Sequence, residues 1–377
     1  MLKLLSSLQQ NQQEMIFFGN IDLSVETTRW NPQRFSQNTT LNINRGMNII
    51  TVWSGYQIAA WVYDGMKPVE TFERKYNSRR EREYIKRHER KWIEEPEQKL
   101  LRTKDDAKRM EPGDTLFVSH SKLQEWTQDF LPHIETDFVL INIPFPMRYL
   151  DFVHTVAPNI TNHPNMIAWF STNIQKSTGG AHNHPKVHPF PIGLKDKMGH
   201  RDFQQPVPAY RRVFLESINK AFTKTRKVHA GHLGSTIPSR NGIPSSDKLP
   251  FDQYARELAK SKYVLSPNGV HPDCHRTYEA IGLGVIPITE LDPILYRHLE
   301  GARVVYQNTN WNVTWLEETL PEPDPETLNR NLVFEEYWME HVERVVGRQL
   351  QWWDKQKSRK SRLVGFAEGN ERQIGAQ

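Results

Sequence analysis

The sequence predicts an α/β fold organised as two lobes, and three observations predict it. The chain has 377 residues, long for a single hydrophobic core and comfortable for two. Its apolar residues fall in short runs of four to eight, with stretches of helical spacing between them. That alternation is how an α/β sheet is written into a sequence. The composition, 37% hydrophobic and 25% charged, is that of a globular enzyme and excludes a disordered or fibrous chain.

In the first lobe, residues 1–195, the expected strands are Met15–Phe18, Met47–Trp53, Thr115–Ser119, Phe138–Ile143, Met166–Phe170 and Val187–Leu194. Leu123, Trp126, Thr127, Phe130 and Leu131 recur at helical spacing between two of them. Residues 196–209, polar and without periodicity, form a linker. The second lobe, 210–333, opens with a helical pattern over Arg212–Phe222. It continues with a strand near Val228, a Ser/Pro/Gly-rich loop over Gly234–Lys248, a helix from Phe251, a strand in "KYVLS", another in "VIPIT", and a last strand in "ARVVYQ", Ala302–Gln307. Trp338, Val342, Val345, Val346, Gln349 and Trp353 then mark an amphipathic helix over 334–356, and 357–377 reads as a flexible tail.

The formal net charge of +5 is local. Glu73–Arg109 holds 14 Lys/Arg and 9 Asp/Glu, and the remainder of the chain sums to zero. With its signs interleaved and no accompanying aromatic stacking pattern, this stretch reads as a solvated, ion-paired helix; a nucleic-acid partner is set aside. The single cysteine, Cys274, excludes an internal disulfide framework and a cysteine-based zinc ribbon. The opening "MLKLLSSLQQNQQEMIFF" holds too short an apolar patch for a signal sequence or membrane anchor, so the expectation is a soluble chain without a membrane span. Three sequons, at Asn38, Asn159 and Asn312, are about what chance supplies.

The chemistry is concentrated in "SPNGVHPDCHRTYEAIGLGVIPI", Ser266–Ile288. A buried strand ends at Ser266–Pro267, a loop follows, Asp273 offers an N-cap, and Gly282 and Gly284 close the helix before the next strand. In such a βαβ unit the helix N-terminus presents backbone N–H groups beyond the strand's carboxyl end, where open α/β sheets bind phosphates. Arg276, in the first turn, adds a full charge there. Glu279, one turn later on the same face, is suited to accept hydrogen bonds from vicinal hydroxyls. A surface i, i+3 ion pair reads equally well from these two residues alone.

Over its whole length this stretch resembles the C-terminal signature of the exostosin-like glycosyltransferases, and within them it is most similar to the ribitol xylosyltransferase C-terminal domain group. Ser266, Pro267, Gly269, Asp273, Cys274, Arg276, Glu279, Ala280, Gly284, Ile286 and Pro287 match in one ungapped run. A weaker likeness extends to His163–Asn173 and His184–Leu194. The resemblance implies a GT-B architecture, two Rossmann-like lobes facing across a cleft, with the acceptor on the N-terminal lobe and a nucleotide-sugar donor on the C-terminal lobe. Arg276 would hold the diphosphate and Glu279 the ribose, with Ser266, Pro267, Asn268, Gly269, Asp273 and His275 shaping the donor site. It implies an inverting, metal-independent transfer of a hexosyl or pentosyl unit from a UDP-sugar to a hydroxyl of a glycan or glycoconjugate, without a further cofactor. Family members work in glycan biosynthesis, commonly in the Golgi lumen behind an N-terminal anchor; the expectation here is the Golgi lumen if such an anchor is missing from this sequence, and otherwise a soluble or cytoplasmic relative.

The absence of an Asp-x-Asp motif agrees with a mechanism in which arginine and helix-end N–H groups neutralise the leaving diphosphate. An inverting transfer also needs a base. The family's acidic segment after the "FVLINI" strand is replaced here by "PFPMRYLD", so no base carries over; Asp22, His120 and Asp151 are the nominees. Two rivals remain. One is a GT-B protein that binds carbohydrate or nucleotide without catalysis. The other is a metal-dependent hydrolase using the loop of His182, His184 and His188.

Overall fold

The computed structural model describes residues 50, 54–63, 99–143, 153–172, 184–194, 214, 217, 222–234, 237–269, 271–299, 302–323 and 330–347. The expected strands at Met15–Phe18 and Met47–Trp53 lie almost wholly outside them, as do the linker, the tail and most of the charged stretch.

Among the described residues the architecture is a mixed α/β fold with two all-parallel sheets. A short helix α1 (Ser54–Gln57) leads into β1 (Trp61–Tyr63). Then come β2 (Lys99–Leu101), α2 (Lys104–Lys108), β3 (Asp114–Ser119), α3 (Leu123–Asp129), β4 (Phe138–Ile143), α4 (Val153–Thr161), β5 (Met166–Ser171) and β6 (Val187–Pro189). These strands form one sheet in the order β2-β1-β3-β4-β5-β6. The second sheet is β7 (Arg226–His229), β8 (Ser261–Leu265) and β9 (Ile286–Ile288), crossed over by α5 (Phe251–Ala259) and α6 (His275–Gly282). Helices α7 (Val313–Thr319) and α8 (Glu335–Val346) follow.

Parallel strands covered on both faces must be apolar throughout. In β4, Phe138, Val139, Leu140 and Ile141 are all fully buried, and β8 buries Tyr263, Val264 and Leu265 just as completely. Trp61, Trp126, Trp169 and Trp338 are the largest side chains of the interior. One apolar cluster runs from Ile50 and the first sheet through Val264 of β8 and Tyr278 and Ile281 of α6 to Trp338 and Val342 of α8, while Val228, Tyr263, Leu265, Ile286 and Ile288 pack with Val305 and Leu316 in a second.

Several sequence expectations are corrected. Lys99–Leu101, read as part of a charged helix, is a strand paired with Trp61–Tyr63; only Lys104–Lys108 of the described part is helical, started by a capping box between Thr103 and Asp106. The Val187–Leu194 run is in the ladder only to Pro189: the Phe190 N–H still donates to the Ser171 carbonyl, but the next N–H on that side, of Ile192, is taken by Asp273 Oδ2. Ala302–Gln307 is not a strand. Arg303 and Gln307 have φ of 53° and 54°, which breaks extended backbone, and Val305 alone bridges to Ile288. The C-terminal helix stops at Val346, where Gly347 takes the left-handed conformation at φ 74° and ends it.

Candidate functional site

The site is built where β7 and β8 end. Helix α6 begins at His275, with Cys274 as its N-cap and no side-chain capping bond. Asp273 does not cap the helix as expected. It is 2% exposed, and its Oδ2 accepts from the backbone N–H of Ile192 (3.0 Å) and from the Tyr278 hydroxyl (2.9 Å). The carboxyl is therefore spent on a tie to the chain beyond β6. Burial pushes its pKa up to about 7, against the lowering effect of those hydrogen bonds. His275 makes a parallel tie, donating from Nδ1 to the Gly193 carbonyl at 2.9 Å.

Arg276 projects from the first turn of α6 to the carboxyl ends of both strands. Nη1 donates to the Leu265 carbonyl at the end of β8 (3.2 Å), and Nη2 donates to the His232 carbonyl just beyond β7. Glu279, one turn on, is 6% exposed and is no member of a solvated surface pair. Its Oε2 accepts from the Tyr254 hydroxyl of α5 at 2.9 Å. Tyr254 is also hydrogen-bonded by Arg276, so its phenol bridges the two charged side chains; burial, then the Glu279 charge, raises its pKa.

The loop between β8 and α6 is braced from within and from outside. Ser266 Oγ, closed off from solvent, lies 3.0 Å from Cys274 Sγ and 3.1 Å from Thr277 Oγ1. Arg240 donates from Nη2 to the Pro267 carbonyl (3.0 Å), from Nε to the Asn268 carbonyl (2.6 Å) and from Nη1 to the Gly234 carbonyl (3.2 Å). The Asn268 N–H donates to Glu290 Oε2 at 2.8 Å. At Gly269 a Cβ would stand 3.2 Å from Arg240 Nη2, close enough that a side chain there would press on the guanidinium. Burial, and Arg276's charge among the neighbours, lower the pKa of Arg240; Cys274 and Glu290 act in the opposite direction.

Sequence reasoning missed Tyr254, Arg240 and Glu290; it read His229 as a packing or loop residue where the second lobe's first strand could end, and His229 does end β7. Arg240 sits in a Ser/Pro/Gly loop, where an arginine at 28 residues' separation from its partner carries no periodic signal.

The first sheet brings a different set of groups to its own carboxyl ends. His120 follows β3, and its Nδ1 lies 3.5 Å from Asn142 Oδ1 at the end of β4. Asn142 donates to the Val118 carbonyl and accepts from Ser171 Oγ at the end of β5. Burial, foremost, lowers the His120 pKa to about 4, and His271 of the β8–α6 loop adds a repulsive contribution. His120 is thus the one nominated base that the structure brings near the motif loop; Asp22 and Asp151 lie outside the described residues. Of the histidine loop, His182 also lies outside them. His184 Nδ1 accepts from the Lys186 N–H at 3.2 Å, and the His188 ring packs 5.2 Å from Phe170. Among the described residues no group of three or more His, Cys, Asp or Glu is placed to hold a metal ion. Nor is any helix among them long and apolar enough to cross a membrane.

Residues 215–294, which contain β7, α5, β8, α6 and β9, match the family model described as the RXYLT1 C-terminal domain. The match supports a relation to that exostosin-like group, and a glycosyltransferase-like role, at the level of this domain. No curated protein matches the chain.

Proposed function

We propose that the protein is an inverting, metal-independent glycosyltransferase of GT-B architecture. It moves a sugar from a UDP-sugar held by the second sheet to a hydroxyl of a glycan acceptor held by the first. The observation that carries this reading is the position of Arg276, whose guanidinium spans the carboxyl ends of β7 and β8 inside the segment matched by the RXYLT1 C-terminal domain model.

Open parallel sheets bind ligands beyond their carboxyl ends. As the glycosidic bond to the diphosphate breaks, negative charge grows on the leaving oxygens. Arg276 and the first turn of α6 offset that charge. Glu279, desolvated and oriented by Tyr254, accepts from the ribose hydroxyls. His120 is the base this reading favours among the nominees. With Nδ1–H directed at Asn142, the lone pair falls on Nε2, and burial keeps the ring neutral at pH 7.

The test is thermal unfolding of the full chain with UDP, GDP and CMP, with and without EDTA, alongside Arg276→Ala. A nucleotide at 100 times its Kd adds about 2.7 kcal/mol. One nucleotide should raise Tm, EDTA should leave the shift intact, and the variant should lose it. No shift with any nucleotide would sink the reading. A second reading, nucleotide binding without transfer, draws on the 2% exposure of His120, which is low for a group that must meet an acceptor. It predicts a nucleotide-dependent Tm shift together with no hydrolysis or transfer of the UDP-sugar.

A further inference from the structure

His229 ends β7 and is 6% exposed. Its Nδ1 lies 2.8 Å from Arg226 Nη1. A guanidinium only donates, so Nδ1 is the acceptor, and the neutral ring carries its proton on Nε2. The ring is neutral at pH 7, since burial, then the Arg226 and Arg276 charges, depress its pKa to about 4. Nε2–H is buried and has no hydrogen-bond partner among the described residues. A buried donor left unsatisfied is costly, and one maintained at a strand's carboxyl end calls for an acceptor from elsewhere.

The donor faces Gly231, which has φ +65°. A Cβ on Gly231 would stand 3.3 Å from His229 Nε2 and 3.6 Å from Arg276 Nη1. One neutral N–H and one cationic N–H therefore converge on a backbone position without a side chain. The neighbouring His232 carbonyl meanwhile occupies Arg276 Nη2, as an oxygen acceptor carrying partial negative charge.

We propose that His229 Nε2–H and the Arg276 guanidinium form an oxyanion subsite under Gly231, which takes a phosphoryl oxygen of a nucleoside diphosphate as the His232 carbonyl gives way. The identity of the ligand rests on the glycosyltransferase reading; the pair of donors does not. Arg226 acts as a positioning residue, holding the imidazole in the tautomer that donates from Nε2.

The experiment is calorimetric titration of the full chain with UDP, inorganic pyrophosphate and uridine, for the wild type, His229→Phe, His229→Gln and Gly231→Ala. His229→Phe should weaken UDP and pyrophosphate roughly tenfold or more, the loss of one hydrogen bond to a charged group, and leave uridine unchanged. Gln should recover most of the loss, and Gly231→Ala should weaken the same two ligands. Equal affinity of His229→Phe and wild type for both anions overturns the subsite and leaves the donor reading standing. Pyrophosphate binding that needs His229, without UDP binding, supports the subsite and removes the nucleotide. Binding of neither anion overturns both. Should the variants fold poorly, the wild type labelled at histidine nitrogen decides: the His229 Nε2–H resonance should move on adding pyrophosphate, and an unmoved resonance overturns the subsite.

Discussion

The two sheets end differently. At the carboxyl edge of the six-stranded sheet stand His120, Asn142 and Ser171, neutral groups hydrogen-bonded to one another. At the edge of the three-stranded sheet stand Arg276 and Arg240, each guanidinium turned onto backbone carbonyls. Both edges belong to parallel strands with the same apolar interior, so the difference is chemical rather than architectural. A neutral network suits a hydroxylated ligand; paired guanidiniums suit an anion.

The largest expected effect breaks that asymmetry outright. Arg276→Ala should reduce kcat of sugar transfer by roughly 10² to 10³, the usual result of removing a donor from a developing oxyanion. Asn142→Ala should leave nucleotide affinity unchanged and instead reduce stability by about 1–3 kcal/mol, because a buried amide is lost from its network. Parallel losses of nucleotide affinity in both variants would contradict the division of labour.

Next in size is Glu279→Ala. It should weaken nucleoside diphosphates by about 2 kcal/mol through the ribose, while Tyr254→Phe costs a few-fold by releasing the carboxylate. Titration with UDP against pyrophosphate separates the effects, since pyrophosphate has no ribose to lose.

A third test asks whether the two sheets unfold as one body. Gly282→Ala would place a Cβ 2.6 Å from Phe214 Cζ and 3.2 Å from Val333, overpacking worth about 1–3 kcal/mol. Because the apolar cluster is continuous, urea should reveal one transition shifted as a whole. Two transitions, only one of them displaced, would make the sheets independent.

The smallest effect comes from opposed titrations. His120 and His229 have folded pKa values of about 4 against 6.5 unfolded, so the stability they contribute is present above pH 6.5 and is lost as pH falls toward 4. Asp273, at about 7 folded against 3.8, works in reverse: its contribution is full below 3.8 and is lost as pH rises through 7. His188 and His341, also held at about 4 by burial, act with the first pair, so the wild type loses stability on acidification and Asp273 offsets only part of the loss. Asp273→Asn should steepen the fall in Tm on acidification from pH 6.5, and an unchanged slope would contradict the buried carboxyl's titration.

The longest apolar runs were legible in the sequence. β3, β4, β5, β8 and β9, with α3, α5 and α6, lie where the runs and the helical spacing predict them. β1 and β2 were not legible, being three residues each; Lys99–Leu101 is embedded in charges whose spacing favours a helix, and only its pairing with Trp61–Tyr63 makes it a strand. Within the site, Arg276 and Glu279 could be placed because both lie on one short helix. Arg240 and Tyr254 could not, since their roles depend on contacts across 25 to 28 residues of chain that no local pattern encodes. Asp273 shows the opposite failure. Local chemistry favours a helix cap, but a tertiary donor, the Ile192 N–H, takes the carboxylate.

That last contact bears on portability. The segment 215–294 that matches a known domain makes several of its contacts beyond its own ends. Excised, it would leave Asp273 and His275 without Ile192 and Gly193, α6 without the Val333 side against which Gly282 packs, and β9 without its bridge to Val305. A chimera that grafts this segment into another scaffold must carry the Phe190–Leu194 strap and the helix at Trp338 with it, or leave the buried Asp273 carboxyl with the Tyr278 hydroxyl but without its tie to Ile192.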